Sequence, residues 1–246
     1  MEEKMKLLKR MGVVWQVLLG LAVITAGLAD TALAVQPDIG MVIRLTGKVM
    51  YWHEGAEQKP LKVQTFMKVR KNDHFNLSPH GVVQLVYFST GRKETWTGPG
   101  SFRVGESRSE AVGVPGSSGE PKVISLPTAV IDEVRRVSPL VDPSRLHRSG
   151  GAQVRGNIDP EKAQPLESIE LTEEEKEEVE AARETYRSLL DKVDTGDIMP
   201  ELYLFSVLAD YDQFQPMKDL IGKMRIKQPD NAGIDRLEQW LVEQSQ

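Results

Sequence analysis

The four histidines, His53, His74, His80 and His147, are the first residues to weigh for chemistry, because the chain has no cysteine. Cysteine nucleophiles, disulfides and thiolate zinc sites are excluded by that absence. A metal would have to rest on imidazole and carboxylate. Asp73, His74 and His80 are the nearest approach to such a set, if a turn and two strand ends converge. A bound metal needs three or four ligands in fixed geometry, and no H-E-x-x-H or other paired spacing supplies it. Histidines at the surface or at strand ends are the plainer explanation. Serines are many, but no G-x-S-x-G elbow occurs. Ser149–Gly156, SGGAQVRG, has the glycines of a phosphate loop without its lysine–serine/threonine end or a helix opening after it. The glutamates of Glu173–Glu180 could attract cations, though a solvated helix face accounts for them. Trp52, Trp96 and Trp240 would form a sugar-stacking surface if folding gathered them, and are otherwise core aromatics. No residue is assigned to catalysis, to a cofactor or to a metal, and the chain is read as non-enzymatic.

The elements that would position these side chains begin with a targeting signal. Lys4, Lys6, Lys9 and Arg10 precede an apolar stretch from Met11 to about Leu28, and Ala32-Leu33-Ala34 follows. Positive start, apolar middle and A-x-A end make a secretory signal peptide over residues 1–34. The alternative is an uncleaved membrane anchor, against which Gln16, Gly20, Thr25 and Gly27 dilute the apolar run. Export to the periplasm or beyond is the expectation. The net charge of −5 argues against a nucleic-acid binder, which carries a basic stripe to neutralise phosphates.

Residues 38–126 read as consecutive short strands. Met41–Leu45, Lys48–His53, Leu61–Val63, Phe66–Val69 and His74–Leu77 are the first five, the third and fourth being the weakest. Lys71-Asn72-Asp73 and Ser78-Pro79-His80-Gly81 are turns. Val82–Phe88 carries apolar residues on both faces, Val83, Leu85 and Tyr87 on one and Val82, Val86 and Phe88 on the other. Such a strand is central and covered on both sides. Gly91 turns it into Lys93–Thr97, Gly98-Pro99-Gly100 turns again into Ser101–Val104, and Ser109–Val114 adds another strand. The spacing predicts an antiparallel sandwich or barrel.

These residues carry a resemblance. Ile39-Gly40, Gly47-Lys48-Val49, Val69-Arg70-Lys71-Asn72-Asp73, Gly81-Val82-Val83-Gln84-Leu85, the Gly91 turn and Thr97-Gly98-Pro99-Gly100-Ser101-Phe102 follow one another as in a FecR-type domain. The resemblance covers about 39–112. Asn72-Asp73 stands where the family has glycine–aspartate, and Thr90-Gly91 where it has aspartate–glycine; both pairs can still turn the chain. The resemblance implies an extracytoplasmic all-β module. It does not imply sigma-factor signalling, since only Met1–Arg10 precede the apolar stretch.

Residues 127–170 are a short helix and linker, the helix opening at Thr128, carrying Val130, Ile131, Val134 and Val137, and ending at Pro139. Thr172-x-x-Glu175 is a capping box that starts a helical region over 171–246. Val179, Ala182, Tyr186 and Leu189 mark the apolar stripe of its first helix. Three more helices follow, broken at Tyr211-Asp212-Gln213 and Pro229-Asp230-Asn231. The pair Glu201–Gln228 is similar to one tetratricopeptide-type repeat, through Leu204, Leu208, Phe214 and Pro229, although Phe205, Met217 and Met224 stand where that repeat has small residues. The expected fold class is α+β: an antiparallel all-β sandwich or barrel-like domain followed by a small antiparallel helical bundle. The expected function is that of a non-enzymatic exported envelope protein whose β domain and helical tail contact a protein or cell-envelope glycan. A membrane-anchored signalling component is the alternative, and an envelope hydrolase or metalloenzyme a more distant one.

Overall fold

The computed structural model describes residues 36–54, 60–113, 119–140 and 170–244. Residues 1–34, read above as a signal peptide, His147, Ser149–Gly156 and most of the linker lie outside the described residues. Among the described residues no helix is long and apolar enough to cross a membrane.

Among the described residues ten strands form two antiparallel five-stranded sheets. They are β1 (Asp38–Thr46), β2 (Val49–His53), β3 (Leu61–Lys62), β4 (Lys68–Arg70), β5 (Asp73–Leu77), β6 (Val82–Tyr87), β7 (Arg92–Thr97), β8 (Gly100–Val104), β9 (Ser109–Val112) and β10 (Lys122–Ser125). The first sheet has the order β10-β7-β6-β1-β4 and the second β3-β2-β5-β8-β9. Val42, Val49, Phe75, Leu77, Val83, Leu85, Tyr87, Trp96, Phe102 and Val104 fill the space between them. β6 lies in the middle of its sheet between β1 and β7. Val83, Leu85 and Tyr87 enter the inter-sheet core, whereas Val86 enters a second core on the opposite side. The expected two-sided burial of this strand is therefore what the structure has.

Among the described residues five helices follow: α1 (Thr128–Leu140), α2 (Glu173–Leu190), α3 (Met199–Asp210), α4 (Phe214–Lys227) and α5 (Ala232–Gln244). Their apolar residues do not form a core apart from the β region. Met41, Ile43, Val86, Phe88 and Leu126 share one cluster with Val130, Ile131, Val134 and Val137 of α1 and with Leu202 and Phe205 of α3. The helical layer thus roofs the outer side of the first sheet. α3 is buried on every side from Met199 to Ser206, as a helix apolar all round must be. α2 begins with the expected capping box: the Glu175 N–H donates to Thr172 Oγ1 at 3.3 Å, and the Thr172 N–H donates to Glu175 Oε2 at 2.7 Å.

Three local expectations are corrected. Phe66 is not in a strand; its φ is +64° and its ring is buried against Gly233 at the start of α5, where any Cβ would overlap the ring. An aromatic that pattern reads as strand is used here as a plug between the strands and α5. The Thr65 hydroxyl oxygen accepts the Gly233 N–H at 3.1 Å, and Arg236 donates to the Thr65 carbonyl at 2.8 Å, fixing that junction. The strand therefore starts only at Lys68. Pro139 does not end α1 but lies inside its last turn. So near the end, a proline removes little beyond its own N–H bond, and the buried Val134 and Val137 hold the helix in place. The strand expected at Leu61–Val63 is two residues long.

Several charged groups are buried where the roof meets the sheet. Lys93 of β7 touches the carboxylate of Asp197, just before α3, and both side chains are almost fully buried. Lys227 Nζ donates to both carboxylate oxygens of Glu201, at 2.8 and 2.9 Å, and to the Asp197 carbonyl at 2.9 Å. On the other face of β7, Glu94 is fully buried inside the sandwich and accepts from Arg92 Nε at 2.5 Å, Trp96 Nε1 at 3.1 Å and the Ser109 N–H at 3.2 Å. That carboxylate ties an inner strand of one sheet to the edge strand of the other.

Candidate functional site

Among the described residues, the outer side of the second sheet contributes nothing to either apolar core. Its side chains alternate outward from β2, β5, β8 and β9 because successive strand residues face opposite ways. Register places them in two rungs. Trp52, His74, Arg103 and Glu110 are successive cross-strand partners, as are Lys62, Met50, Asn76, Ser101 and Val112. The Trp52 and His74 rings stack with centroids 5.3 Å apart and planes 8° from parallel. Arg103 Nη2 pairs with Glu110 at 2.9 Å, and Asn76 Nδ2 donates to Ser101 Oγ at 2.8 Å. The result is a half-buried aromatic plate beside guanidinium, amide and hydroxyl groups. An apolar ring face next to oriented polar groups recognises a sugar ring with its hydroxyls, or an extended peptide.

The candidate metal set is not brought together. Asp73 points inward, where its Oδ1 accepts from His53 Nδ1 at 2.7 Å and its Oδ2 from the Arg70 N–H at 2.8 Å. His74, the next residue of the strand, faces the other way and stacks on Trp52. His80 lies in the turn beyond the far end of β5. Among the described residues no group of three or more histidine, aspartate or glutamate side chains is placed to hold a metal.

The three candidate tryptophans, Trp52, Trp96 and Trp240, occupy three separate places. Trp96 is buried on Phe102, with centroids 4.5 Å apart, and Trp240 lies against Phe205 in the helical layer. Of these three, Trp52 alone belongs to the open face. The glutamates of α2 face solvent around the buried Val179. Glu173 pairs with Lys176 at 2.7 Å, Glu180 with Arg187 at 3.1 Å, and Glu178 accepts from the Tyr211 hydroxyl.

Sequence reasoning missed Lys93, Glu94 and Asp197. The signal was present: a charged pair in a strand next to a central one must bury a charge on each face once both faces are covered.

Four of the five tyrosines hold their protons beyond the ordinary range. Burial is the main cause for Tyr51, for Tyr87 and for Tyr186, the last pushed up to about 12 with help from Glu201. The hydrogen bond to Glu178 is the main cause for Tyr211, also pushed up to about 12. A phenol whose folded pKa is raised contributes stability that is fully present below the unfolded value near 10 and lost as pH rises through the folded value. Alkaline titration followed by phenolate absorbance should show most of the signal delayed past pH 11 in the native protein and shifted to about pH 10 in denaturant. Native and denatured curves that coincide would contradict these environments.

Comparison of the chain with known protein families, characterised proteins and solved structures returned no match.

Proposed function

We propose that this protein is a non-enzymatic, exported envelope component that binds a protein or cell-envelope glycan through the open face of its sandwich. The carrying observation is the asymmetry of the two sheets. One is roofed by helices through a shared apolar core, while the other presents the Trp52–His74 stack in one rung with Arg103 and Glu110, beside the Asn76–Ser101 pair of the next. The sequence of residues 1–34, read as a signal peptide, supports the location outside the cytoplasm. The FecR-type resemblance over about 39–112 supports an extracytoplasmic β module, and the tetratricopeptide-like pair supports a contact role for the exposed helical surface.

The reading is tested by titrating the purified protein with soluble envelope glycan fragments and with envelope proteins, following the indole emission and amide exchange. Protection of β2, β5 and β8 on binding is expected. Truncating a central aromatic anchor commonly costs more than 1 kcal/mol, so Trp52→Ala should weaken binding by roughly ten-fold. Binding that protects another surface and tolerates Trp52→Ala would remove the open face from consideration.

A further inference from the structure

We propose that Lys93 and Asp197 form an intramolecular amide bond, joining β7 of the roofed sheet to the segment that leads into α3. The two side chains touch, and each is buried, 1% exposed for Lys93 and 0% for Asp197. Their polar atoms are poorly served as ions. Apart from its contact with Asp197, Lys93 Nζ has no hydrogen-bond partner among the described residues, and the same holds for Asp197 Oδ2. Asp197 Oδ1 is held by the Met199 N–H at 2.9 Å. An ammonium has three N–H groups to place, and here it meets one acceptor atom. An amide has one N–H and one carbonyl, which suits the site far better.

Lys227 provides the internal comparison. It is the neighbouring half-sheltered lysine, and its ammonium meets three acceptors at 2.8–2.9 Å, two on Glu201 and one on the Asp197 backbone. That is how this fold supplies acceptors to a sheltered lysine. Lys93 is accommodated differently.

Burial also prepares the nucleophile. It pulls the Lys93 ammonium down to about 8, against the opposing pull of the Asp194 carboxylate and with the help of the Lys122 charge. Asp194 is itself tied to Lys122 at 2.6 Å. In a dry site the touching ion pair converts to amine and carboxylic acid by transfer of one proton from Nζ to Oδ2. The amine lone pair then attacks Cγ of Asp197. The new N–C bond forms, the C–O bond to the protonated oxygen breaks, and that hydroxyl leaves with the second Nζ proton as water. One N–H remains on the amide. No oxidant, reductant or co-reactant is needed, and holding the two groups in contact supplies the effective concentration.

The test is peptide mapping of the purified full-length chain by mass spectrometry. The expected product is the tryptic peptide Lys93–Arg103 joined to Val193–Lys218, one water lighter than the two together, with no cleavage after Lys93. The Lys93→Arg variant, which keeps a cation of similar length, should release Val193–Lys218 at its sequence mass. Asp197→Ala should abolish the joined species as well. Recovery of unlinked Val193–Lys218 from the folded wild type, with cleavage after Lys93, would overturn the proposal. So would a water loss in this region that persists in Lys93→Arg.

Discussion

Replacing Lys93 by methionine lowers the free energy of unfolding by roughly 3–5 kcal/mol, the range for leaving a buried carboxylate without its partner. The reason lies in what remains. Asp197 is fully buried, and the loss of Lys93 leaves its Oδ2 with no positive partner in contact. Methionine matches the lysine stem in shape, so the apolar packing changes little and the electrostatic term dominates. The control is the double variant Lys93→Met with Asp197→Ala. Its loss should fall short of the sum of the single losses, because the second substitution removes the stranded carboxylate. Denaturant titration of the four proteins, followed by far-UV circular dichroism, gives the comparison. A Lys93→Met change of under about 1 kcal/mol, the scale of an exposed pair, would show that the contact is not held in a dry interface.

Phe205→Ala should cost about 3–5 kcal/mol, the usual range for truncating a fully buried phenylalanine. Phe205 is 0% exposed in the middle of α3 and lies 6.0 Å from the ring of Trp240. It shares a cluster with Val86 and Phe88 from the β region and with α1. A cavity there weakens the contact between the roof and the sheet as well as the helical layer. The expected readouts are a red-shifted Trp240 emission and a single unfolding transition that moves as a whole. If the sandwich instead unfolded in its own, unshifted transition, the shared core would not couple the two regions. Scanning calorimetry of Phe205→Ala beside the wild type decides between these results.

Turn chemistry was the most legible part of the chain. Asn72 takes φ +67° in the expected turn, and Gly91 takes φ +64° between β6 and β7, where a Cβ would also overlap the Leu126 carbonyl. Both positions suit the residue present for local reasons. The α2 capping box was equally legible, since its partners are three residues apart. Phe66 was not, because what places it is Gly233, far along the chain. The candidate binding face was half legible. Alternation in Lys48–His53 put Trp52 and Met50 on one side, but nothing local said that Trp52 would meet His74 and that Trp96 and Trp240 would lie elsewhere.

The α+β class, the two-sided burial of Val82–Tyr87, the turns and the helix starts are legible in the residues alone. These follow from periodicity, glycine and proline geometry and short-range capping, all of which act within a few residues. Which sheet is roofed, the pairing of Asp73 with His53 and not with a metal set, and the meeting of Lys93 with Asp197 more than a hundred positions away are set by the assembled fold. Such pairings depend on which surfaces exclude water together. A residue's burial and charge state are properties of that assembled environment, which the residue's own neighbours in sequence do not specify.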